Sequence, residues 1–240
     1  MANGTATSVD EIADGIYRIS TPVDLGGGRG FTFNQFLIKD DQPLLYHTGQ
    51  HKLFEETRAA VERVMPASKL RWISFSHYEA DECGALNDFL VLAPEAEPLC
   101  GRLAANTSIN DTAIRPARVA TDGETISLGR HTVRWFDTPH TPHAWECGLI
   151  SETSTKTLFC GDLFTRDGRD HPAFTESDIL GPSEALRQRL GYFVQSTVSR
   201  PILERLAGEK PEVMACMHGS SWRGDGAGLL RALADSVGRG

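Results

Sequence analysis

The sequence predicts an α/β fold of packed β-sheets with helices on the outer faces. Two successive blocks of strand-like segments are each followed by helix-like segments, the pattern of sheets covered by helices. The 240 residues are 40% hydrophobic and 23% charged, ordinary values for a globular chain. Without a repeat, a coiled coil, a low-complexity tract or a Pro/Ser-rich linker, the whole span 1–240 reads as one domain.

Ile16 to Ser20, Phe33 to Lys39 and Pro43 to Tyr46 are short runs of apolar, aromatic and β-branched residues divided by Gly, Pro and Asp, which predicts a strand meander. Gly26, Gly27 and Gly28 read as a mobile loop within it. From His51 to Met65, Leu53, Phe54, Thr57, Val61 and Val64 recur at helical spacing and stop before Pro66. Arg71 to Phe75 reads as a buried strand, Gly84 to Leu92 as an apolar helix and Pro98 to Cys100 as a short strand. Thr125 to Leu128, Thr132 to Phe136, Cys147 to Ser151 and Thr157 to Cys160 form the second strand block. Helices are predicted over Ser183 to Gln195, Pro201 to Leu206 and Ala227 to Val237, with a strand from Val213 to Cys216.

Twenty-four basic residues against 32 acidic ones leave a net charge of −8, and no Lys/Arg cluster offsets it, which argues against nucleic acid and anionic membrane as partners. The N-terminal stretch lacks a basic start and an apolar run, and no segment has the length of a membrane span, so a cytoplasmic protein is expected. Cys83, Cys100, Cys147, Cys160 and Cys216 are odd in number and contain no CxxC pair, so they read as reduced core thiols.

Four places carry chemistry. The first is Ser76-His77-Tyr78-Glu79-Ala80-Asp81-Glu82, directly after a predicted strand. If it stays extended, His77, Glu79 and Asp81 share one face and form a metal-ligand set. The second, Asp137-Thr138-Pro139-His140-Thr141-Pro142-His143, is a loop stiffened by two prolines, and one of its two histidines is the candidate ligand. The third is Asp162, a lone acid ending an apolar strand, where burial demands a cationic or hydrogen-bonding partner. The fourth is His218, at the end of a late strand and followed by Gly219. All four lie at the C-terminal ends of predicted strands, where α/β folds gather their sites.

In this order the motifs resemble those of the metallo-β-lactamase superfamily, from about Ile16 to Ala234. The resemblance implies a four-layer αββα sandwich with metals between its sheets. Glu79, in place of a second histidine, is similar to the H-x-E-x-D motif of the flavodiiron and oxygen-binding di-iron proteins, and a carboxylate is a harder ligand that moves preference from zinc toward iron or manganese. The resemblance implies two metal ions, bridged by Asp162, with His77, Glu79 and His140 on one and Asp81 and His218 on the other. His140 is selected on this ground, and His143 is assigned a supporting or surface position. Glu82 stands where those proteins commonly have histidine; it either joins the second metal or points away and leaves a water-filled position. His47 occupies the place of an Asp that backs the site, and Trp145 and Tyr78 are candidate pocket aromatics.

The function implied by the resemblance is binding or reduction of dioxygen or nitric oxide at a di-iron centre. Electrons would come from a separate protein, since neither a flavodoxin domain nor a rubredoxin-like CxxC pair is expected in this chain. The competing expectation is a metal-dependent hydrolase of an ester, lactone, thioester or phosphodiester, in which Asp81 and Glu82 would be the catalytic groups and metal-bound water the nucleophile. Either function takes a small-molecule ligand or substrate and is compatible with a homo-oligomer. Ligand selectivity is expected in the loops after Gly26 and between Arg166 and Gly181.

Overall fold

A computed structural model describes residues 6–194 and 197–237. The first sheet contains β1 (Ser8–Ala13), β2 (Ile16–Gly26), β3 (Arg29–Ile38), β4 (Leu44–Tyr46), β5 (Trp72–Ser74), β6 (Glu97–Gly101) and β7 (Arg118–Ala120), side by side in chain order. Its first four strands are antiparallel and its last four parallel. Helices α1 (Phe54–Glu62), α2 (Ala80–Cys83), α3 (Leu86–Leu92), α4 (Arg102–Ala104) and α5 (Asn110–Thr112) lie in its connections.

The second sheet contains β8 (Thr125–Ser127), β9 (Thr132–Asp137), β10 (Gly148–Glu152), β11 (Thr157–Gly161), β12 (Phe174–Thr175), β13 (Val213–Cys216) and β14 (Ser221–Arg223), in the spatial order β12-β14-β13-β11-β10-β9-β8. Helices α6 (Leu180–Leu190), α7 (Ser199–Gly208) and α8 (Gly226–Val237) accompany it.

Alternation along the strands of the second sheet makes the layers. Trp135, Ile150, Phe159 and Ala215 point into one apolar cluster shared with the first sheet, while Phe136, Leu149, Leu158, Cys160, Met214 and Cys216 point into another shared with α7 and α8. Between the sheets, Phe159 meets Phe36 edge-on at 5.6 Å and Tyr46 at 5.3 Å between ring centroids. The result is the α/β sandwich of two sheets with helices that the sequence predicts.

Differences are local. Gly26, Gly27 and Gly28, read as a mobile loop, form the tight reversal between β2 and β3 with φ of 84°, 63° and 76°, which glycine adopts without steric cost. The helix expected from Ser183 starts earlier, at Leu180, and ends at Leu190 because Gly191 takes the left-handed cap at φ 66°; Gln195, its expected end, lies outside the described residues. Strand β1 and the helical stretch 102–112 were not anticipated, since only Ile12 of β1 is buried and the helical stretch is short and mostly polar.

Candidate metal centre

The first sheet contributes one loop. After β5 the chain runs through buried Phe75 and Ser76 to His77, stays extended at Glu79 (φ −130°, ψ 165°) and then winds into α2. The segment is therefore not extended throughout, as alternation had suggested. A helical turn brings Asp81 and Glu82 toward the site, while Cys83 N–H closes onto the Glu79 carbonyl at 3.0 Å.

Behind His77 stands a chain of polar contacts. Its Nδ1 lies 2.9 Å from Ser76 Oγ, which is 3.1 Å from His47 Nε2, and His47 Nδ1 reaches Met217 Sδ at 3.0 Å. Burial pushes His47 down to about 3, so it is a neutral imidazole at ordinary pH. With Nδ1 occupied, His77 presents Nε2 to the site, the usual arrangement for a histidine held by its far nitrogen.

The second sheet contributes three strand ends. Asp162 follows β11 through Gly161, whose φ of 50° turns the chain. His218 follows β13 and sets Nδ1 3.0 Å from the Thr32 carbonyl, leaving Nε2 free to face inward. The hairpin of the first sheet clasps this turn: Arg18 and Asn34 side chains donate to the Gly219 carbonyl at 2.9 and 2.8 Å, and the Asn34 amide donates to the Met217 carbonyl at 3.0 Å.

The third contribution corrects an expectation. His140 is not in the cluster; His143 is. His140 sits in the left-handed region at φ 58° with its amide on the Ala144 carbonyl at 2.8 Å, so the loop folds back on itself at His140. That reversal carries His143 inward, its Nε2 2.9 Å from His77 Nε2, 3.2 Å from Glu79 and 3.4 Å from Asp162 Oδ2. The sequence holds the two histidines in similar Thr-Pro-His settings, and nothing short of the loop's path separates them.

The donors form two adjoining groups. On one side His77, Glu79, His143 and Asp162 Oδ2 converge; on the other His218 Nε2 lies 3.5 Å from Asp81 and 3.3 Å from Asp162 Oδ1. The two oxygens of Asp162 thus face different groups. Ligands on one ion at about 2.0–2.2 Å cannot lie more than about 4.4 Å apart, and the separations of 2.9 to 3.7 Å meet that bound. Asp162 Oδ1 is buried and has no hydrogen-bond partner, as expected of an atom reserved for a cation. The residues present fit a metal pair.

Electrostatics agree. Hydrogen bonds from His143 and His77 hold Glu79 at about 2. Burial opposes charge on Asp162, but His218, His77 and His143 overcome it and keep the carboxyl well below the usual range. Burial likewise opposes charge on His77 and His218, yet the surrounding acids raise both, His77 strongly. A region that stabilises protonated imidazole stabilises cations.

The groups open into a cavity of about 420 Å³, walled by Leu25, Phe31, Phe33, Thr165, Leu190 and Tyr192. Phe31 and Phe33 stand edge-on to His218 at 5.2 and 5.4 Å. The walls come from the β2–β3 hairpin, including Phe31 and Phe33 after Gly26, from Thr165, and from Leu190 and Tyr192 at and just beyond the end of α6; none comes from 166–181. Trp145 and Tyr78, 56% and 43% exposed, are not among them.

Residues 31–219 match the family described as ODP family beta lactamase, and the chain belongs to that family. It is similar to the anaerobic nitric oxide reductase flavorubredoxin of Klebsiella pneumoniae (28% identity over 81% of this chain and 42% of that one) and to the rubredoxin-oxygen oxidoreductase of Megalodesulfovibrio gigas (24% identity, 81% and 50%). The flavodiiron protein structure from Giardia intestinalis superposes with a TM-score of 0.81 at 19% identity, over 97% of this chain and 60% of that one, and shares the fold. The chain spans half or less of the length of these curated relatives.

Proposed function

We propose that the chain holds a pair of iron ions and binds or reduces dioxygen or nitric oxide with electrons from a separate donor protein. One observation carries the reading: donors from four strand ends form two groups joined through the two oxygens of Asp162. In this reading His77, Glu79 and His143 hold one ion, Asp81 and His218 the other, and Asp162 both. Carboxylates make the set hard, which favours iron or manganese over zinc.

When bound, the ion pair would supply the redox chemistry that a small diatomic gas requires. The chain's own residues prepare the place. Ser76 and Thr32 fix the two imidazoles from behind, and Leu25, Phe31, Phe33 and Leu190 line the approach with apolar surface suited to an uncharged gas. Nitric oxide and oxygen both stand in the names of the matched relatives, as does rubredoxin, which supports the gas as substrate and a protein as donor. Five unpaired, buried cysteines suit a reducing compartment, and we place the protein in the cytoplasm, with residues 1–240 forming one domain. No helix among the described residues is long and apolar enough to cross a membrane.

The test is anaerobic reconstitution with ferrous iron. The expected result is about two irons per chain and an absorbance change on exposure to dioxygen or nitric oxide. Stoichiometric zinc in the native protein, no gas-dependent absorbance and turnover of esters or lactones would replace this reading with a hydrolase.

A further inference from the structure

We propose that Glu82 is a seventh donor, shared by both metal positions, which strengthens the preference of the site for iron or manganese over zinc. The inference rests on the metal-pair reading above and concerns a residue that reading does not need.

Glu82 is fully buried, and neither oxygen of its carboxyl group has a hydrogen-bond partner. Leaving a buried polar group unpaired costs about 1–3 kcal/mol, and more for a charged one. The fold satisfies a buried glutamate elsewhere: Glu152, equally buried, accepts from the hydroxyls and amides of Ser154 and Thr155 at 2.5 to 3.0 Å. Glu82 has no such ring of donors, so its partner is of another kind.

Its position says which. Oε2 lies 3.9 Å from His77 Nε2. A carboxyl oxygen of Glu82 falls within 4.8 Å of donor atoms of His77 and Glu79 in one grouping, and of Asp81 and His218 in another. Glu82 thus belongs to both halves of the site, as Asp162 does, from the opposite sheet. The backbone holds it there: the Glu82 carbonyl accepts the Thr48 amide at 2.7 Å, and Thr48 Oγ1 accepts the Ala85 amide at 3.1 Å, which pins the C-terminal end of α2.

With Glu82 the set becomes four carboxylates and three imidazoles. Burial and the neighbouring Asp162 and Asp81 push the Glu82 carboxyl well above the usual range, so it would give up its proton as cations enter, and four carboxylates would then balance two divalent ions. Each added carboxylate raises the hardness of the set and moves it from zinc toward iron and manganese.

The experiment measures metal binding in the full chain, by chelator competition and by iron–zinc competition followed with elemental analysis, for wild type, Glu82→Gln and Glu82→His. Gln is nearly isosteric and removes only the charge. The expected result is two irons in wild type, at least about tenfold weaker retention of both ions in Glu82→Gln, and an iron-over-zinc ratio lower by about tenfold in both variants. A Gln or His variant that folds and matches wild type in retention and metal ratio overturns the role of Glu82 and leaves the metal pair standing. Wild type that takes up no ion pair overturns both.

Discussion

His77 and His143 bring their Nε2 atoms to within 2.9 Å, with ring planes at 83°, although one imidazole leaves the first sheet and the other the second. Two ring nitrogens directed at one point from separate sheets are a shared donor pair, and this pairing decides between the histidines of the Thr-Pro-His repeat.

Replacing His143 with Ala should therefore lower iron content from about two to about one per chain, whereas His140→Ala should leave it unchanged. Metal analysis after anaerobic reconstitution checks this. Equal losses in both variants would mean that the loop takes another path in solution.

Asp162 offers one oxygen to each group, so Asp162→Ala should release both ions rather than one. Circular dichroism on the same sample separates loss of metal from loss of fold. Retention of a full pair would refute the bridging assignment.

The Ser76 hydroxyl joins His77 to neutral His47. Ser76→Ala removes the hold on His77 Nδ1 without touching a donor atom, and iron affinity should fall about 10–100-fold. Chelator competition reads the change; an unaltered affinity would reduce His47 and Ser76 to core filling.

How much of this was legible follows from what each residue depends on. His77, Asp162 and His218 were readable because each ends a strand whose apolar pattern is plain, and burial then forces a partner on a polar side chain. The choice between His140 and His143 was not, since it turns on the left-handed backbone at His140, which no side-chain pattern announces. Glu82 was visible as a departure from pattern, but its lack of hydrogen-bond donors is a property of packing. Of the cavity wall, Phe31 and Phe33 follow Gly26, in the stretch the sequence points to, whereas Leu25, Leu190 and Tyr192 come together only through the sandwich. The fold was clearer than the site: alternation in β9, β10, β11 and β13 separates two apolar faces, whereas a site needs distances.

Acid stability should reveal the other buried glutamate. Burial works against charge on Glu152, but hydrogen bonds from Ser154 and Thr155 outweigh it and hold the carboxyl at about 2, against an ordinary value of 4.5. A lowered folded pKa means that the unfolded chain binds the proton first, so the contribution is complete above about 4.5 and is lost as pH falls toward 2. The difference corresponds to up to about 3 kcal/mol. In urea titrations, wild type should lose stability over that window more steeply than Glu152→Gln. Parallel curves would show that the group titrates alike in both states.

The clasp of Arg18 and Asn34 on the turn after β13 has a mechanical side. Strands of one sheet grip the loop of the other beside His218, and the candidate donors are themselves divided between the sheets. Any ions bound there would act as rivets across the seam, and ligand linkage then stiffens the junction in proportion to their occupancy. Amide exchange at Thr32, Asn34 and Met217 should slow on loading iron while exchange in the outer helices barely changes, so the hinge between the halves would report directly on what the centre holds.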